Sequence, residues 1–197
     1  MINIFPLLLQ DEKYDLLKHK SKIILYKNRL GGYPEDYIEI DSVNGKFIVS
    51  EVHRDMKQVK IETDEEKEAN IYAVILYKRL YDDIVDKMRV RSIRKYLDIG
   101  EERKAIECIT DDFDNALFSI DSEDVLKISL IHSNNGIDVK FGGEYLAENA
   151  TLSRGYVVLY NYCNKLRYIS SFYDEMCKKS NYTMNRELII KMYILGK

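Results

Sequence analysis

The cluster best suited to acid–base chemistry in this 197-residue chain is Glu51, His53 and Arg54, in the run EVHRD. On an extended strand, residues i and i+2 point to the same side. Glu51 could therefore orient the His53 imidazole as a general base, with Arg54 beside it. The same side chains would also serve as partner contacts, or as the polar end of a half-exposed strand. Those readings are preferred to a hydrolase built on Glu51 and His53, which stays an alternative. His132 has no charged neighbour at i±2, and His19 lies among lysines. Asp111, Asp112 and Asp114 (DDFD) offer carboxylates to a cation, but the glycine that an EF-hand loop needs at its sixth position is absent.

Cys108, Cys163 and Cys177 are odd in number and follow no CxxC spacing, which excludes a disulfide framework and a four-cysteine zinc site. They read as reduced, buried thiols that pack rather than react. The chain has no GxxxxGK[ST], no GxGxxG and no GxSxG. No catalytic residue, metal or cofactor is nominated. The expectation is a protein that binds a partner rather than an enzyme.

Charge sharpens that expectation. The net charge is −3, and residues 98–124 hold ten acids, Glu107, Asp111, Asp112 and Asp114 among them, against only Arg103 and Lys104. A basic stretch precedes them at Arg89, Arg91, Arg94 and Lys95. That patch and the 16 tyrosines could contact nucleic acid, but the negative net charge and the lack of a helix-turn-helix, RNP or zinc-finger pattern argue against it. MINIFPLLLQ is apolar, yet too short to span a membrane and without the basic leader of a signal peptide. It is expected to pack on the body of a cytoplasmic protein with no membrane partner.

The elements that must position these residues follow from periodicity. Residues 11–30 read as a helix stopped by Gly31-Gly32. YIEI (37–40), a tight Asn44-Gly45 turn, KFIVSEVH (46–53) and QVKIE (58–62) read as strands. Thr63 to Glu66 reads as a capping box opening a helix that runs to about residue 88. Residues 89–121 are ambiguous: VRSIRKYL looks helical, while KAIECI and NALFSI could be strands. VLKISLIH (125–132), a turn, IDVKF (137–141) and a helix over 152–178 then repeat the earlier order. The C-terminal NRELIIKMYIL is a short helix or strand that closes the core. The expected class is α+β, with antiparallel hairpins packed on long amphipathic helices. The two hairpin–helix units would be residues 1–97 and 98–197, or one continuous domain. They would be a duplication or a common motif used twice.

Residues 44–82, NGKFIVSEVHRD…VKIETDEEKEANIYAVILYKRLYD, resemble small immunity proteins of bacterial polymorphic-toxin systems. The shared pattern is the Asn44-Gly45 turn, the Glu51-Val52-His53-Arg54 strand end, a second strand at Val59 to Ile61, and an acidic helix start. That start is Thr63, Glu66, Glu68-Ala69 and Tyr72. The resemblance covers roughly residues 11–88, including NRLGGYPEDY. It departs from the pattern in having no tryptophan in the strand and no glycine after Arg54. The resemblance implies a cytoplasmic protein that binds and neutralises a toxin. Candidate partner-binding residues are Glu51, His53, Arg54, Glu107, Asp111, Asp112 and Asp114. A homodimeric structural or regulatory module is the alternative.

Overall fold

The computed structural model describes residues 4–10, 12–27 and 34–197. The chain is an α+β protein that divides into two compact units, Met1–Asp82 with Ser171–Lys197, and Asp83–Ser170. The boundary expected after residue 97 falls inside the second unit.

In the first unit, β1 (Asp15–His19), β2 (Lys22–Tyr26), β3 (Asp36–Val43), β4 (Lys46–His53) and β5 (Met56–Thr63) form one antiparallel sheet in chain order. The helix expected over 11–30 is instead the β1–β2 hairpin. Its apolar residues are cross-strand partners, Leu16 with Leu25 and Leu17 with Ile24, and Lys20 takes a left-handed φ of 53° in the turn. The polar residues 18–21 are the hairpin's exposed tip, not one face of a helix. The Gly31-Gly32 stop signal lies outside the described residues. The β3–β4 hairpin turns at Asn44 and Gly45 as expected, both at positive φ (52° and 81°).

Register places Leu25, Ile38, Ile40, Val49 and Glu51 on one sheet face. Helix α2 (Glu66–Tyr81) packs across that face, and Arg79 reaches Glu51 from it. The helix is shorter at both ends than periodicity predicts. Thr63 closes β5, so no capping box forms: its hydroxyl bonds the Glu68 carboxylate and accepts from the Glu65 N–H at 3.2 Å. At the other end Asp82 is extended, and Asp86 opens a separate helix α3 (Lys87–Asp98) by accepting from the N–H groups of Met88 and Arg89. The helix expected to run to about residue 88 therefore crosses this break, and Met88 is exposed.

Ala69 and Ile71 to Lys78 are all buried, so α2 is a central helix rather than an amphipathic surface one. Its other sides meet α1 (Ile4–Leu8) and α6 (Arg186–Leu195). Ile4, Phe5, Leu8 and Leu9 are buried, so the described part of the apolar N-terminal run packs in the core.

In the second unit, Gly100 (φ 78°) separates α3 from α4 (Glu102–Asp112). KAIECI is therefore helical, while NALFSI supplies β6 (Phe118–Ile120). Strands β7 (Ile128–Ser133), β8 (Gly136–Phe141) and β9 (Glu144–Ala150) complete a sheet in the order β6-β7-β8-β9, with β6 parallel to β7. Strand β9 is not foreseen by periodicity, because EYLAENA is poor in β-branched residues. Ile128, Leu130, Ile137, Val139 and Phe141 form the buried face of this sheet.

Helix α5 (Leu152–Ser180) follows, and the division between the units falls within it, after Ser170. In the second unit its stripe of Tyr156, Leu159, Cys163, Leu166 and Ile169 is buried. Gly155 lets α5 approach β8, since a Cβ there would lie 2.3 Å from Ile137 Cγ2. Among the described residues, no helix is long and apolar enough to cross a membrane.

Candidate functional site

Each unit carries a histidine at or next to the end of a strand, and each histidine meets an aspartate contributed by the neighbouring strand or its end. In the first unit Asp36 on β3 lies directly opposite His53 on β4, and its carboxylate bonds His53 Nδ1. The Tyr81 hydroxyl donates to the Asp36 carbonyl, anchoring that strand end. Arg54, at the left-handed turn that follows (φ 46°), pairs with Glu35 at 3.4 Å, and both are well exposed.

The expected Glu51–His53 dyad does not form. Arg79 donates from Nη1 to both Glu51 carboxylate oxygens, at 2.8 and 3.1 Å, and Lys60 Nζ lies 3.7 Å away. Lys60 is buried and also donates to the Gly196 carbonyl at 2.6 Å. Burial pushes the Lys60 ammonium below its ordinary value, against the pull of Glu51. Gly196 itself caps α6 at φ 73°, and a Cβ there would meet the Arg79 guanidinium at 2.3 Å. Glu51 therefore pins β4 to α2 and β5. Its charge is held in an internal network.

The second unit assembles a histidine centre that no local spacing announces. His132 Nδ1 lies 2.7 Å from Asp121 Oδ1, and the His132 N–H donates to the same oxygen at 3.1 Å. On the other side, Nε2 lies 3.2 Å from Glu102 Oε1, which also accepts from the Tyr156 hydroxyl at 2.6 Å. The hydrogen bond to Asp121 and the charges of Asp121 and Glu102 raise the His132 pKa above 6.5 despite partial burial. The same hydrogen bond holds the Asp121 carboxyl below its ordinary value. Burial, then Glu102, pushes the Tyr156 phenol up. Both ring nitrogens thus face carboxylates, which favours the imidazolium and leaves neither nitrogen open to act as a base. The partners stand 11 and 30 residues away in sequence, so an i±2 search passes over them.

The acidic segment separates into inward and outward groups. Asp112 faces inward. Arg89 grips its carboxylate through Nε and Nη2 at 2.8 and 2.7 Å, Tyr160 donates to it at 2.8 Å, and Arg167 bonds its carbonyl. Burial opposes its ionisation, but the Arg89 and Tyr160 hydrogen bonds prevail and keep the carboxyl below its ordinary value. The Tyr160 phenol is pushed up to about 12, by burial first and then by Asp112.

Glu107, Asp111 and Asp114 face outward. Glu107 and Asp111 stand one turn apart on α4, opposite the buried Ala105, Cys108 and Ile109. Glu107 pairs with exposed Arg103, and Asp114 caps the Ala116 N–H. Of the partner residues expected from sequence, Asp112 and Glu51 are held by internal partners, while His53, Arg54, Glu107, Asp111 and Asp114 are accessible.

Cys108 and Cys163 are buried, and Cys177 is partly so. Burial pushes the Cys163 thiol far up, away from the reactive thiolate. Among the described residues no group of three His, Cys, Asp or Glu side chains is arranged to hold a metal ion. No protein-family model, curated protein or solved structure matches the chain.

Proposed function

We propose that this chain is a non-catalytic, cytoplasmic immunity protein that neutralises a bacterial toxin by direct binding, through an acidic surface on its second unit. The observation that carries this reading is the separation of carboxylates on α4. Asp112 is held by Arg89 and Tyr160, whereas Glu107 and Asp111 stay exposed one turn apart, with Asp114 in the following turn. Fixed exposed carboxylates on a helix favour association with a basic surface, such as the substrate groove of a nuclease. The resemblance of residues 44–82 to immunity proteins of polymorphic-toxin systems supports the same class of partner.

Co-expression with the protein encoded by the adjoining gene is the test. The reading predicts a one-to-one complex that survives size exclusion, and rescue of cells from that protein's toxicity. Rescue should be lost in Glu107→Lys/Asp111→Lys with the fold intact by circular dichroism. A freely soluble, non-interacting pair, or a homodimer that ignores the neighbour, would overturn it.

A further inference from the structure

The first turn of α4 has few fastenings of its own. The N–H groups at a helix start ordinarily find a capping side chain. Glu101, at the N-cap of α4, makes no side-chain cap bond, and Gly100 before it has open space where a Cβ would stand. The neighbouring charges are turned on each other, Lys104 to Glu101 at 2.7 Å and Arg103 to Glu107 at 3.3 Å. Glu102 reaches out of the turn, to His132 and Tyr156. The far end of the helix is fixed separately, by Asp112 on Arg89 and Tyr160.

His132 is open to solvent protons, its side chain being 38% exposed. It stands on the same face of β7 as Leu130, and its partner on β8, Ile137, carries no charge. Asp121 faces it from the end of β6, Glu102 from α4 and the Tyr156 phenol from α5. An imidazolium donates from both ring nitrogens and so bridges Asp121 and Glu102. A neutral ring has one N–H to give. The 2.7 Å contact at Nδ1, against 3.2 Å at Nε2, keeps that proton with Asp121. Asp121 also keeps the backbone N–H of His132, at 3.1 Å. The Nε2 lone pair then faces Glu102 Oε1, acceptor against acceptor, and Glu102 is left to the Tyr156 hydroxyl.

We infer that His132 is a proton-operated latch: protonated, it fastens the first turn of α4 to β7 through Glu102, and on losing its Nε2 proton it lets that turn move at Gly100 while the Asp112 end stays fixed. The latched state holds the proton. It is therefore closed below the folded pKa of His132, which lies above the ordinary 6.5, and opens as pH rises through that value. Glu107 and Asp111 ride on the same helix. The latch is a property of the chain by itself, and only its consequence for the acidic face of α4 rests on the binding function proposed above.

The test is an NMR titration of the full chain, without a partner, from about pH 6 to about pH 9. The ring nitrogen shifts of His132 should show Nε2 losing its proton while Nδ1 keeps its own. Over the same range the Ala105 amide, bonded to the Glu101 carbonyl, should lose about threefold or more of its protection against hydrogen exchange, corrected for the intrinsic rate. The Phe113 amide, bonded to the Ile109 carbonyl at the fixed end, should keep its protection. In Glu102→Gln, whose amide can donate to the neutral ring, the protection of Ala105 should no longer fall with pH. A neutral ring protonated at Nε2, or Ala105 protection that ignores the titration, overturns the latch, as does an equal fall in Glu102→Gln. If that variant does not fold, the wild-type tautomer and protection decide the matter. None of these readings involves a partner, so the latch and the binding function fail separately.

Discussion

The two units hold their internal charge in networks of different size. In the first, charge is used inside the fold: Glu51 is gripped by Arg79 beside buried Lys60, and the buried Glu39 is paired with Lys22 and Lys57. In the second, the comparable internal pair is Arg89 with Asp112, and the surplus acids Glu107, Asp111 and Asp114 are left at the surface. The two histidine–aspartate contacts differ in the same way. His53 meets a single carboxylate across the strands, whereas His132 is enclosed by Asp121 and Glu102. Whether a charge has an internal partner thus separates the residues that hold each unit together from those left to solvent.

Removing Glu51 should have the largest effect. Glu51→Ala leaves Arg79 and the buried Lys60 side by side without their carboxylate. Breaking a buried pair in this manner costs about 3 kcal/mol or more, readable as a lowered urea midpoint. A loss under about 1 kcal/mol would mean that the first unit does not depend on this network, and the contrast between the units would fail.

Asp112→Ala should come next, at about 2 kcal/mol, because it strands the half-buried Arg89 and the Tyr160 hydroxyl. Its pH dependence has a definite sign. The Asp112 carboxyl lies below its ordinary 3.8 in the fold, so its contribution is complete above that value and disappears as pH falls through the lower folded value. Wild type and variant should therefore converge in stability at strongly acid pH. A gap that persists there would assign the effect to packing alone.

The histidines give a smaller and more selective effect. His132 has a folded pKa above its ordinary 6.5, so its stabilising contribution is complete below 6.5 and is lost as pH rises through the folded value. His132→Gln should thus lower stability more at pH about 6 than at pH about 9. An NMR titration of His132 should move towards 6.5 in Asp121→Asn, the group that contributes most to the shift. His53→Ala should change stability by no more than about 0.5 kcal/mol, since its pair with Asp36 is exposed. If His53 proves the costlier of the two, the ranking of the two centres is inverted.

The parts of this fold that were legible in the sequence were those fixed by neighbours. The Asn44-Gly45 turn, strands β3, β4, β5, β7 and β8, and the stripe of α5 follow from local chemistry and periodicity. The β1–β2 hairpin was not, because Leu16, Leu17, Ile23 and Ile24 satisfy a helical spacing and a cross-strand pairing equally well. The end of α2 was hidden because its apolar pattern continues past Asp82, while the break depends on Asp86 capping the next helix. The His132 centre was invisible for a stronger reason. It exists only once α4 and the end of β6 are brought to β7, and a search within two residues of the histidine meets neither Glu102 nor Asp121. Glu51 shows the converse, a local pairing with His53 overridden by a tertiary one with Arg79.

The central claim is that the outward carboxylates of the second unit steer this protein to a basic partner. It is tested most directly by the association rate with the adjoining gene's product as salt rises from about 0.1 M, where the Debye length is about 10 Å, to about 1 M, where it is about 3 Å. The account predicts a rate that falls steeply for wild type and for Glu35→Lys in the first unit. For Glu107→Lys/Asp111→Lys it predicts a low and nearly salt-independent rate. A wild-type rate indifferent to salt, or an equal loss from the first-unit variant, would contradict it.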